Sequence, residues 1–379
     1  MKKLNVGVIF GGQSSEHEVS LQSAKNIIQA IDRDRFELTL IGIDQQGQWY
    51  LRDLNHFLEH ADDPERIALV PSERQLSLQP GHQSSPFFES SPSLSMSAFS
   101  QLDVIFPIIH GSLGEDGCLQ GLLAFAQLPY VGAAVLGSAI CMDKEVSKRL
   151  LLQAGIQVAP YIAVKKVLDD RKLFEQATTQ LGLPLFVKPA CQGSSVGVSK
   201  VEDYASFHRA LQLAFAYDGK VLIEQAIVGR EIECAILGND HPRASVCGEV
   251  ITQDQFYSYA AKYIDGQSST VIPANISAEA AAKIQAIALK TFVALECEGL
   301  ARVDVFLKAD GDVVVNEVNT LPGFTNISMY PQLWQASGLE YQDLISTLID
   351  LAIERHQAQS GKQHQWQINS IEVVKKSKL

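Results

Sequence analysis

The run RVDVFLKADGDVVVNEVN, residues 302–319, constrains the fold more than any other stretch of the chain. Segments rich in Val, Phe and Leu flank Asp310-Gly311, a dipeptide that favours a tight turn, so the run predicts two antiparallel strands. With the turn centred there, Asp304 lies opposite Glu317 and Arg302 opposite Asn319. Side chains alternate across a strand, which puts these four polar groups on one face and Val303, Val305 and Val318 on the other. Directly opposed like charges destabilise a sheet. Either the face is open to water and the acids splay apart, or a hard divalent cation with oxygen ligands holds them. The register carries the argument, since a slip of one residue undoes the facing.

At 379 residues the chain has room for two or three domains, and 46% hydrophobic content is ordinary for a globular enzyme. No apolar run approaches the roughly 18 residues of a membrane span. The opening MKKLNVGVIFGG passes straight into an apolar strand without a small-residue cleavage site, so a cytoplasmic location is expected. The cysteines, at 118, 141, 191, 234, 247 and 297, form no C-x-x-C pair, which suits reduced thiols better than disulfides or zinc. A net charge of -12 argues against nucleic-acid and anionic-membrane partners. Any bound phosphate must be held by local cations.

Along the chain, LNVGVIF, FELTLIGID and LDVIFPIIHG read as apolar strands, with helical spacing in SLQSAKNIIQAI between the first two. This α/β alternation predicts a doubly wound parallel N-terminal domain with ligands at the carboxyl ends of its strands. Residues 72–100, serine-rich with several prolines, read as a surface insertion without chemistry. CMDKEVSKRLLLQAGI reads as one helix. Short strands then follow in LPLFVKPA, GVSKV, VLIEQAI, EIECAIL and SVCGEVI, an α+β texture. AEAAAKIQAIALKTFVALEC is an amphipathic helix carrying Ile284, Ile287, Ala288 and Leu295 on one face. The expected division is 1–140, 141–225 and 226–358, with a polar tail over 359–379.

Several stretches carry candidate chemistry. In FVKPACQGSSVGVSKV, Lys188 closes a strand before a loop with Gly193, Ser194, Ser195 and Gly197, where backbone N–H groups can approach phosphate oxygens. It is not a Walker A loop, and taken alone it is equally readable as a turn. Glu224 and Glu231, seven apart at strand edges, suit an adenine amine and ribose hydroxyls, or are exposed strand-end charges. Lys262 and Tyr263 fall in a loop-like segment of aromatics, small residues and glycine. At FGGQSSEHEVS, a capping box of Ser15 and Glu18 accounts for the helix start and leaves Glu16 spare. His110 ends a strand, where an α/β sheet presents ligand contacts, although a lone histidine is also a common structural residue.

Taken together and in order, GGQSSEHEVS, HGSLGEDGCLQG, MDK, VKPACQGSSVGVSKV, GREIECAILG, AKY, ARVDVF and NEVNTLPGFTNIS resemble the D-alanine:D-alanine ligases of the ATP-grasp superfamily. The resemblance covers about residues 4 to 355. It implies an ATP-grasp architecture: a doubly wound parallel N-terminal domain, a small central α+β domain and a C-terminal mixed-sheet domain. It also implies that two D-alanine molecules are joined through an acyl phosphate, with release of ADP and phosphate, for peptidoglycan. By the same resemblance, Asp304, Glu317 and Asn319 hold two Mg2+ ions, for which Mn2+ can substitute. Lys144, Lys188 and Lys262 hold the ATP phosphates, and Glu224 and Glu231 the adenine and ribose. Glu16 binds the first alanine's ammonium, partnered by Ser194 and Tyr263. Arg302 and the Gly323 N–H face the developing oxyanion, Ser328 takes the second alanine's carboxylate, and His110 lies near the second substrate. A homodimer is expected from the family alone. Cys191 departs from the family pattern, which has asparagine there, and is given no role.

Three rivals remain. A D-alanine:D-lactate ligase is disfavoured by Tyr263, because relatives making that product depart from tyrosine. A dinucleotide-dependent oxidoreductase lacks its G-x-G-x-x-G fingerprint. A non-catalytic ATP-binding module is disfavoured by the joint presence of Arg302, both acids, Asn319 and the Glu16, Ser194 and Tyr263 set.

Overall fold

A computed structural model describes residues 2–79, 87–91, 94–98, 101–252, 268–325 and 327–360. The N-terminal part runs β1 (Leu4–Gly11), α1 (His17–Ala30), β2 (Phe36–Ile43), β3 (Trp49–Arg52), a small ribbon of β4 (Leu58–Glu59) and β5 (Ala68–Leu69), β6 (Gln75–Leu78), β7 (Phe87–Ser91), β8 (Leu94–Ala98) and β9 (Val104–Ile108). Seven of these strands form one sheet in the order β8-β7-β6-β3-β2-β1-β9. The expected parallel winding holds for β2, β1 and β9, while β3, β6, β7 and β8 extend the sheet antiparallel. Residues 72–100 therefore carry strands where a surface insertion was expected. The reason is a period of two hidden among serines: in QLSL, Gln75 and Ser77 are exposed while Leu76 is buried, and Phe87 is buried on the next strand.

Helices α2 (Cys118–Phe125), α3 (Val135–Met142) and α4 (Lys144–Gln153) follow. The single helix expected from Cys141 onward is broken at Asp143, whose carboxylate accepts from the Glu145 and Val146 N–H groups at 3.1 and 3.2 Å. The break makes Lys144 the first residue of α4.

The middle of the chain builds a four-stranded antiparallel sheet, β10-β13-β11-β12, from β10 (Tyr161–Val164), β11 (Leu185–Pro189), β12 (Ser199–Val201) and β13 (Val221–Gln225). Helices α5 (Asp170–Leu181) and α6 (Tyr204–Tyr217) share its core through Ala177, Phe207, Leu211 and Ala214.

A third sheet, β16-β15-β14-β17-β18, contains β14 (Arg230–Gly238), β15 (Arg243–Thr252), β16 (Ser268–Val271), β17 (Gly299–Leu307) and β18 (Val313–Asn319). Helix α7 (Ala278–Ala294) lays Ile284, Ala288 and Phe292 into its core, with Ile284 and Phe292 contributing about 1.5–3 kcal/mol each. Helices α8 (Met329–Ala336) and α9 (Tyr341–Ser360) then return to the first sheet: Leu344, Ile345, Leu348 and Ile349 share a core with Val6, Phe10 and Phe106. That return carries the segment 320–328 to the carboxyl end of β9.

The β17–β18 hairpin reaches its expected facing by an unexpected route. Lys308 N–H bonds Asp312 O at 2.9 Å and Gly311 sits at φ +82°, so the loop places pairs one residue out of the expected register near the turn. A bulge at Asn316 adds one residue to β18 and restores Asp304 opposite Glu317 and Arg302 opposite Asn319.

Candidate active site

Three carboxylates lie in one row across three strands, since Glu233 pairs with Asp304 and Asp304 with Glu317. Arg302 compensates two of them. Its Nε and Nη2 meet Asp304 Oδ1 and Oδ2 at 2.8 and 2.7 Å, and Nε lies 2.9 Å from Glu233 Oε2. Burial alone pulls the Arg302 pKa down, but the charges of Asp304 and Glu233 outweigh it and hold the guanidinium ionised. Glu317 Oε2 lies 3.5 Å from Lys144 Nζ. Asn319 donates from Nδ2 to Asp304 Oδ2 at 3.0 Å, which leaves its carbonyl oxygen as an acceptor. Val303, Val305 and Val318 are buried on the opposite face, as the alternation requires.

These oxygens suit Mg2+, which is commonly held by one or two carboxylates with substrate phosphates and water completing the shell. Among the described residues no group of three His, Cys, Asp or Glu side chains is placed to hold a metal ion by itself.

Beside the hairpin a cavity of about 410 Å³ opens between the second and third sheets. Phe186, Ile251 and Phe306 give it an apolar slot, while Lys144, Lys188 and Glu231 bring charge to its wall. Glu224 also lines it and is no exposed strand-end charge: Lys188 Nζ lies 2.8 Å from Oε2 and Lys148 Nζ 3.1 Å from Oε1. Burial pushes the Glu224 pKa up, and the two lysines more than reverse this, so it stays ionised. Lys144 is drawn toward the Gly/Ser loop, with its N–H on Ala190 O and its Nζ on Gln192 O at 2.7 Å.

Within that loop Ser194 and Ser195 both adopt positive φ, at 47° and 60°. The Ser194 hydroxyl donates to Glu16 Oε1. Glu16 itself is the N-cap residue of α1, one position later than the expected capping box; Glu18 instead accepts from Gln45 Nε2 at 3.2 Å, so Ser15 and Glu18 do not close a box. A Cβ on Gly111 or Gly193 would come within 3.0 or 3.2 Å of Glu16 Oε2, so both glycines clear space for the carboxylate.

His110 is buried at the end of β9, with Nε2 3.1 Å from Ser23 Oγ and Nδ1 3.1 Å from Leu321 O. Ser23 Oγ also accepts from Phe324 N at 3.2 Å. Burial lowers the His110 pKa, with Glu16 acting against it, and the neutral ring can donate at Nδ1 and accept at Nε2. His110 and Ser23 thus hold the backbone on both sides of Gly323. A Cβ at Gly323 would lie 2.8 Å from Ser328 Oγ, which accepts from Thr325 N at 2.9 Å.

Lys262 and Tyr263 lie outside the described residues. Burial, with Asp143 and Asp218 adding, pushes the Cys191 thiol up to about 12, so it is an unreactive thiol beside the loop. Sequence reasoning missed three members of the site. Lys148 follows Lys144 by four on one helical face, and Glu233 follows Glu231 by two on one strand face, so both had a periodic signal. Glu115 accepts from Gly111 N at 2.6 Å and has its pKa pushed up to about 8 by burial and by the charge of Glu16. Only its packing reveals that.

The chain matches the family model "D-ala D-ala ligase N-terminus" over residues 5–133 and "D-ala D-ala ligase C-terminus" over residues 150–350. D-alanine--D-alanine ligase A of Chromobacterium violaceum is 58% identical over 356 residues, 94% of this chain and 96% of that protein. The ligase A of Escherichia coli K12 is 55% identical over 362 residues, 95% and 99% of the two chains. Among solved structures, the D-alanine-D-alanine ligase from Coxiella burnetii superposes with a TM-score of 0.82 at 39% identity, covering 95% of this chain and 97% of its own. The VanG D-Ala:D-Ser ligase from Enterococcus faecalis does so at 0.79 and 35%, covering 93% and 100%. With both family models matched in order across an ATP-grasp fold, the chain belongs to the D-alanine--D-alanine ligase family.

Proposed function

We infer that the chain joins two D-alanine molecules into D-alanyl-D-alanine at the expense of ATP, for peptidoglycan synthesis, and we propose the following roles for its residues. The observation that carries the assignment is the Ser194–Glu16 contact, which ties the Gly/Ser loop lining the cavity to the start of α1. It brings a carboxylate able to bind an ammonium beside a phosphate-sized set of lysines.

Lys144, Lys188 and Lys262 hold the ATP phosphates, Glu231 the ribose and Glu224 the adenine amine. Asp304, Glu317 and the Asn319 carbonyl would hold Mg2+, two ions in this proposal with Mn2+ able to substitute. When bound, the metal supplies charge neutralisation to the phosphates. A carboxylate is a poor acyl donor, so the first D-alanine, its ammonium on Glu16, takes the γ-phosphoryl group on its carboxylate and ADP is released. The amine of the second D-alanine then attacks the acyl carbon, and the tetrahedral intermediate expels phosphate. Arg302 and the Gly323 N–H face its oxyanion, and a donor of this kind is worth about 10²–10³ in rate. Ser328 takes the second carboxylate. His110, both ring nitrogens engaged, serves the second substrate by holding the 321–324 backbone. Tyr263 partners Glu16 and Ser194 and favours an amine over a hydroxyl acceptor.

The three units 1–140, 141–225 and 226–358, a homodimer and a cytoplasmic site of action complete the proposal. No helix among the described residues is long and apolar enough to cross a membrane. The test is ADP release from purified protein with ATP and Mg2+ plus D-alanine, L-alanine, or D-alanine with D-serine or D-lactate, the products identified by mass. D-alanine-dependent release with dipeptide supports the assignment; nucleotide binding without substrate-dependent release, or a mixed product in preference, overturns it.

A further inference from the structure

At 1% exposure Lys148 is more deeply buried than any other Lys or Arg among the described residues. It does not line the cavity. Its Nζ sits behind Glu224, 3.1 Å from Oε1 and 5.7 Å from the Tyr161 ring centroid, while Lys188 takes Oε2 at 2.8 Å from the cavity side. Two ammonium groups thus share one carboxylate, and the buried cluster carries a net charge of +1. Glu224 and Lys188 alone would be a neutral pair, and an apolar side chain could fill the space behind them without the desolvation cost of a second ammonium. Burial lowers the Lys148 pKa, with Glu224 opposing, which expresses the same desolvation cost. A surplus cation is retained where it faces an anion, and Lys144, one turn earlier on the same helix, also lines the cavity.

We propose that Lys148 is a positioning residue for nucleotide binding: by occupying Oε1 of Glu224, it leaves Lys188 with charge not neutralised by Glu224 to present to the phosphates. This rests on the nucleotide assignment of the cavity. It assigns Lys148 to the phosphate contribution to affinity and not to the base.

The test is calorimetric titration of the full-length protein with ADP plus Mg2+ and, separately, adenosine. Wild-type protein that fails to bind ADP refutes the nucleotide assignment itself. If wild type binds, the readout is the ratio of ADP to adenosine affinity. In Lys148→Met that ratio falls by about ten- to a hundredfold, the size expected from one unit charge removed several ångströms from the phosphates at an effective dielectric of about 20. Lys148→Arg keeps the ratio. Lys148→Met/Glu224→Gln returns the cluster to +1 and recovers it, whatever happens to adenosine affinity through Glu224. An unchanged ratio in a folded Lys148→Met protein, an equal loss for ADP and adenosine, or a double variant no better than the single overturns the proposal. If Lys148→Met does not fold, the double variant, which removes the buried pair together, decides: a ratio well below wild type overturns it.

Discussion

Replacing Arg302 by methionine tests the hairpin most severely. The guanidinium closes a two-point contact with Asp304 at 2.8 and 2.7 Å and a third with Glu233 at 2.9 Å, and those carboxylates face each other across β14 and β17. Both are buried. Breaking a buried pair by removing one partner costs about 3–5 kcal/mol, because the remaining charge is left uncompensated. The thermal midpoint of Arg302→Met should therefore fall, and adding Glu233→Gln, which removes one orphaned charge, should recover part of the loss. Catalysis separates from stability in Arg302→Lys. A single ammonium keeps the charge but cannot keep the fork on Asp304, contact Glu233 and face an oxyanion together. With the loss of one oxyanion donor worth about 10²–10³ in rate, kcat should drop by that factor while KM for ATP stays within about threefold. The assay is coupled ADP release at saturating D-alanine, alongside melting curves. An Arg302→Lys enzyme that melts like wild type and keeps its kcat would refute the oxyanion role and reduce Arg302 to a counter-charge.

Three further outcomes are expected. Glu115 is held neutral up to about pH 8, whereas an unfolded glutamate ionises near 4.5, so the stability it contributes is fully present below pH 4.5 and is lost as pH rises through 8. Melts of the ligand-free protein should show the advantage of Glu115→Gln over wild type growing by about 1.4 kcal/mol per pH unit across that window, and a constant difference would refute the burial argument. Ser194→Ala removes the donor to Glu16 and should raise KM for D-alanine at least about tenfold while leaving ADP affinity unchanged in calorimetry. Tyr263→Phe should raise D-lactate use relative to D-alanine in a competition assay read by mass, and an unchanged product ratio counts against its role in acceptor choice.

The expected hairpin facing was correct although its premise was not. A two-residue turn centred on Asp310-Gly311 gives the same register at Asp304 as the observed loop plus the bulge at Asn316, two one-residue offsets that cancel. Pattern alone could not separate them, since either route buries Val303, Val305 and Val318. The β6–β8 extension was obscured by serine and proline composition, though its alternation was present in QLSL. The break at Asp143 is local chemistry, a carboxylate capping its own helix, and was readable before a run that otherwise looks continuous.

By itself, the sequence determined the strand-helix alternation at the start of the chain, the two faces of the β17–β18 hairpin, and the motifs that mark the family, because these depend on neighbours a few residues apart. The tertiary structure decided which charges meet. Glu16 and Ser194 are 178 residues apart, His110 and Leu321 are 211 apart, and Lys148, Lys188 and Glu224 come from a helix and two strands. No periodicity specifies such meetings. They arise where tertiary packing brings distant segments of the chain together, and there burial makes each unpaired charge costly enough to demand its partner.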